Sequence, residues 1–273
     1  MAFKLGDVIV DRLQFGYGAK PNGAPLYALT QLKETSIDIT ADSVDITDKD
    51  GNLVYRKYTG KKGEVNAQNA FMNLSVVETL SAATAEIASE GHGIVMPIIT
   101  VVKAGEKLNI LDYVKGSVFV NALGTNGSMG KAYTLGLTAN ETEFQITDVE
   151  ANEDDGTEAS STLIPPTDGA EVQYIVKYQK TVKSGAKITN SGDKFPTSHE
   201  LFFKALVVDP CDKSNLKAAV IHIPSFMPSP EFTLALQGGD TQTMDYKGAM
   251  MLDSCSANKE LFSLYFIDEV EDV

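Results

Sequence analysis

The chain has 273 residues, 43% of them hydrophobic, which is enough for one large domain or two smaller ones with a buried core. Its 37 acidic against 23 basic residues leave a formal net charge of −14, which excludes an ordinary DNA-binding surface of clustered Lys and Arg. No apolar run approaches the roughly 20 residues of a membrane-crossing helix, and Met1–Asp7 lack the basic stretch and apolar run of a secretory leader, so neither a membrane partner nor export is expected.

Along the chain, period-two patterns dominate. Gly16-Tyr17-Gly18 lacks the third Gly or the Lys-Ser/Thr that a phosphate loop needs at the required spacing. Gly23-Ala24-Pro25 marks a turn before Leu26–Leu32. Ile37 and Ile39 alternate with Ser36, Asp38 and Thr40, and Val44 and Ile46 alternate with Ser43, Asp45 and Thr47. Such alternation sets one face of an antiparallel strand on a core and the other toward water. Asp50-Gly51-Asn52 then turns the chain into Leu53–Tyr58, forming a hairpin.

One helix is predicted from Ser75 to about Glu90. Ser75 is its expected N-cap, Glu78 completes a capping box and Gly91 supplies the C-cap. Val76, Leu80, Ala83 and Ile87 fall on one face. The greasy run Ile94–Val102 is of strand length and interrupted by Pro97. From Gly105 to about Gly169, Gly-rich and acidic stretches predict a loop-rich insertion. The expected division is therefore 1–104, an insertion at 105–169, and 170–273. Beyond it, Val172, Tyr174, Val176 and Tyr178 alternate, as do Phe232, Leu234 and Leu236, and Phe262, Leu264 and Phe266. Short strands with turn residues between them predict a sandwich or barrel.

No chemistry announces itself. His92, His199 and His222 show no ligand spacing, His222 reading as a satisfied strand residue, and no C-x-x-C occurs, so zinc is not expected. Asp48-Lys49-Asp50-Gly51 fails as a calcium loop, with Ile46 and Lys57 where ligands would stand. No G-x-S-x-G occurs. The expectation is a non-enzyme without cofactor or metal. Cys211 and Cys255, far apart in sequence, are expected reduced and buried.

The stretch Leu29–Ile39, with Glu34-Thr35-Ser36-Ile37, then Asp48-Lys49-Asp50-Gly51-Asn52-Leu53-Val54 and the Lys-rich turn Tyr58–Gly63, resembles the opening of tailed-bacteriophage tail tube (major tail) proteins. The segment Ala70–Asn73 leading into a helix has a counterpart there. Phe195-Pro196, Leu201–Cys211 and His222-Ile223-Pro224 look like phage virion proteins of this size. The resemblance implies an antiparallel β-sandwich or half-barrel with one short helix. It also implies a subunit that joins copies of itself in hexameric rings, stacked into a tube through which the genome passes. Its partners would be itself, other virion tail proteins and, transiently, DNA. It would be made in the host cytoplasm and located in the virion.

The extra length suggests an outer decoration within 105–170 and keeps a capsid-decoration or other head or neck role open; a carbohydrate-binding or adhesin-like β module is the third reading. On the tube reading, the hairpin around Asp48, Lys49, Asp50, Gly51 and Asn52 would contact the next ring. Asp38, Asp45, Asp48 and Glu64 are candidates to line the lumen, where negative charge would keep DNA from sticking. A solvated outer face would account for the same acids.

Overall fold

The computed structural model describes residues 6–136, 143–151, 157–166, 173–233, 243–252 and 259–270, with backbone alone for 212–214 and 268–270. In chain order the elements are β1 (Ile9–Ala19), β2 (Pro25–Leu29), β3 (Leu32–Thr47), β4 (Leu53–Asn69), α1 (Leu74–Leu80), β5 (Glu86–Ala88), β6 (Ile94–Lys103), β7 (Leu108–Asn109), β8 (Phe119–Leu123) and β9 (Met129–Tyr133). They continue with β10 (Leu135–Gly136), β11 (Phe144–Val149), β12 (Ser160–Ile164), β13 (Gln173–Val182), β14 (Gly185–Lys187), β15 (His199–Asp209), β16 (Asp212–Pro228), β17 (Met244–Met250) and β18 (Ser263–Val270). The fold is mainly β, with one short helix among the described residues and antiparallel pairing apart from the two-residue β10–β11 contact. No helix among the described residues is long and apolar enough to cross a membrane.

Two compact units divide the chain: residues 1–84 with 188–273, and residues 85–187. The first is built on one sheet in the order β2-β1-β15-β16-β17-β4-β3, with β18 also pairing β16. Leu29, Val65, Leu201, Phe203, Ile223, Phe226 and Tyr246 form its core beneath Val76, Val77 and Leu80 of α1. The strand β1 runs through Gly16-Tyr17-Gly18 for a packing reason: a Cβ on Gly18 would lie 2.3 Å from the ring of Tyr27 on the neighbouring strand.

The second unit is a sandwich of two four-stranded sheets, β10-β11-β12-β7 and β6-β13-β8-β9, with the small β14–β5 pair beside them. Between the large sheets Tyr133, Phe144 and Tyr174 meet edge to face, with centroids 5.0–5.5 Å apart. The expected 105–169 segment lies inside this unit. Its edges stand further out, at 85 and 187, because β6 and β13 on either side of that segment pair with each other from Ile94–Val182 to Lys103–Gln173.

The helix differs from its prediction. It spans seven residues, and Asn73, not Ser75, is the N-cap, its side chain accepting from the Ser75 and Val76 amides. It stops at Leu80, where Ser81 caps it and Ala82 takes φ 48°. Glu86–Ala88 are claimed instead by strand pairing with β14, leaving Ile87 exposed, so tertiary pairing overrides the helical spacing. Gly91 accordingly sits in the turn before β6 rather than at a helix end.

Cys211 is exposed at the β15–β16 turn, contrary to the expected burial, because the turn after Asp209-Pro210 carries it off both strands. Cys255 lies outside the described residues. Phe232 is in irregular chain packed against the first core, and Leu234 and Leu236 lie outside the described residues. Leu264 in β18 is about half exposed, so that strand's alternation does not mark a covered face.

Candidate functional site

The sheet of the first unit projects a long hairpin. Strands β3 and β4 pair from Leu32–Asn69 to Thr47–Leu53. At its base, Ile37, Val65 and Ala67 face the core. Beyond it every residue from 38 to 62 is exposed, so this two-stranded arm has neither face covered. Gly60, at φ +59°, supplies a bulge between the Ala41–Lys61 and Asp42–Thr59 pairs.

One side chain builds the tip. The Asp48 carboxylate accepts from the Asp50 amide at 2.9 Å, the Asn52 amide at 2.8 Å and Asn52 Nδ2 at 3.1 Å. The Asn52 side chain and amide hold the Asp48 carboxyl below its ordinary range. Gly51, at φ +85°, takes the left-handed position that its lack of a Cβ allows. Lys49 and Asp50 stand exposed beside it. All five residues expected at a ring-to-ring contact thus share one ordered turn at the end of the arm.

The expected lumen residues separate. Asp38 and Glu64 sit directly opposite each other at the arm's base, on the face away from the core residues Ile37 and Val65. Ser36 Oγ and Asn66 Nδ2 donate to Asp38 at 3.2 and 3.3 Å. Asp45 lies seven residues further along the same strand, hence on the other face of the ribbon. There Arg56 grips it with both Nε and Nη2, at 2.7 and 2.8 Å. The guanidinium hydrogen bonds hold the Asp45 carboxyl below its ordinary range.

The sequence pattern placed Val44 and Ile46 on a core. They are instead exposed, and with Tyr55, directly opposite Ile46, they make an uncovered apolar cluster on the ribbon. The signal was present in the numbering: Ile37 and Ile39 are odd positions and Val44 and Ile46 even ones on one continuous strand. They cannot all face one core.

His199 and His222 are engaged in packing. His199 is buried in the first core, where Nε2 meets Tyr27 Oη at 2.6 Å and Tyr246 Oη at 3.1 Å, and Nδ1 faces the Thr197 carbonyl at 3.2 Å. Burial depresses its pKa. His222 stacks on Phe202 with centroids 4.4 Å apart and lies 3.4 Å from Glu200. Among the described residues no group of three His, Cys, Asp or Glu side chains could hold a metal ion.

A model of the YomU/Tube protein family matches residues 7–262, running through both units. No curated protein matches the chain.

Proposed function

Because the chain belongs to the YomU/Tube protein family, a phage tube-type structural family, we propose that it is a tail-tube subunit that polymerises as stacked rings around a channel for the genome. The observation that carries this reading is the arm. A two-stranded ribbon with both faces in water is marginally stable alone, and exposed strands are hazards in a monomer but useful in an assembly. Val44, Ile46 and Tyr55 give the arm apolar surface to bury against another copy, and the Asp48 turn gives it a shaped end. The tip residues Asp48–Asn52 contact the next ring.

Asp38 and Glu64 face the lumen. Like charges directly opposite on a sheet weaken it, but that face would repel duplex phosphate and let DNA slide. Asp45, neutralised by Arg56, lies on the opposite face of the ribbon and away from the lumen, while Val44 and Ile46, on the Asp38 face but nearer the tip, are buried by the next ring. Other tail proteins cap the tube at its ends. Negative-stain microscopy of the purified chain across a concentration series tests the reading. Hollow tubes or stacked rings are expected, and a monodisperse monomer at every concentration would overturn it.

A further inference from the structure

The second unit carries a surface that the arm does not explain. In the sheet β6-β13-β8-β9, Val102, Tyr174, Val176, Val120 and Ala122 point into the unit's own core. The alternate residues form the opposite face. Register sets Val101, Ile175 and Asn121 on one rung, and Ile99, Lys177 and Phe119 on the next. Ile99 is 64% exposed, Phe119 62% and Val101 49%, so an apolar band crosses three strands uncovered. Its charge is also distinctive. Lys177 and Lys103 stand on this face by register, and the four strands contribute no Asp or Glu to it, in a chain where acids outnumber bases 37 to 23.

We propose that this face docks onto a different, carboxylate-rich surface of a second copy of the chain within the polymer; the inference rests on the tube reading above. Pairing the face with itself would bring two basic faces together without any carboxylate to offset them. The remaining surface of another copy carries the opposite sign and attracts it. A contact between two different surfaces of one chain is heterologous, the kind that closes rings and propagates stacks.

The area agrees. β6 is 10 residues long; at about 3.3 Å per residue and about 4.8 Å between strands, the face covers roughly 500 Å². That is short of the ~800 Å² per partner of an interface that stands alone. The contact therefore forms once copies are held side by side by the polymer, which raises their effective concentration.

Amine-reactive footprinting of the wild-type full chain, as dilute subunit and as assembled tubes, tests this. Lys177 is expected to lose about tenfold in labelling rate on assembly. Lys177→Glu is expected to raise the critical concentration for assembly at least tenfold while leaving the subunit's circular dichroism and melting temperature unchanged. Tubes in which Lys177 labels as fast as in the subunit overturn this inference and leave the tube reading standing. Protection that appears only in complete tails, and not in tubes of the pure chain, gives the face to a different protein and overturns it as well. A wild-type chain that never polymerises overturns both readings.

Discussion

Replacing Val44, Ile46 and Tyr55 together by Thr separates the arm's role in assembly from any role in folding. Thr keeps strand propensity, so the ribbon itself is spared. In the subunit these side chains are 56, 54 and 57% exposed, so a little over half of each remains to be buried by a partner. Full burial of a side chain of this size contributes about 1.5–3 kcal/mol, so the remaining half is about 1 kcal/mol each and about 3 kcal/mol for the three. At 1.4 kcal/mol per tenfold, the critical concentration for polymerisation should rise about 100-fold. None of the three touches either core, so the subunit's melting temperature should stay within a few degrees. Sedimentation across a concentration series, beside thermal unfolding of dilute subunit, reads both quantities. An unchanged critical concentration in the folded variant would refute the reasoning.

Gly248→Ala should destabilise the subunit by about 3 kcal/mol, because the new Cβ would lie 2.4 Å from both the Met227 carbonyl oxygen and the Phe226 ring. Gly192→Ala, where a Cβ meets nothing, should be neutral, and denaturant unfolding of the pair checks the contrast. Burial lowers the folded-state pKa of His199 below its unfolded value of about 6.5, only partly offset by the Thr197 carbonyl. Its contribution is therefore fully present above about pH 6.5 and is lost as pH falls below that toward the folded value. Melting temperatures at pH 7.5 and 5.0 should show this loss, and His199→Gln should flatten it; an equal slope in the variant would discount His199. Asp38→Lys with Glu64→Lys should yield tubes that retain duplex DNA at low salt and release it at high salt, as counterion release requires. Filter retention reads this, and tubes with no more affinity than wild type would place the two carboxylates away from the lumen.

The hairpin was legible because its signals are local. Alternation fixes strands, and Asp48 through Asn52 specify a turn whose hydrogen bonds close within five residues. The helix was half legible. Its start was read two residues late, at Ser75 rather than Asn73, and its end was set by a strand about 100 residues away, β14, which takes Glu86–Ala88. The strand β1 escaped notice because Gly16 and Gly18 look like punctuation in one dimension, whereas Gly18 is there to clear the ring of Tyr27.

By itself the sequence determined the β class, the hairpin with its turn at Asp48–Asn52, and, through the residues from Leu29 to Gly63, the resemblance to tube proteins; these rest on neighbours along the chain and on side-chain period. Tertiary structure decided what each face meets. It placed Asp38 opposite Glu64 and gave Asp45 to Arg56 across the ribbon. It widened the inserted unit to 85–187 and left Val44, Ile46, Ile99 and Phe119 uncovered. Alternation states that a strand has two faces; only packing against distant strands settles which face is buried.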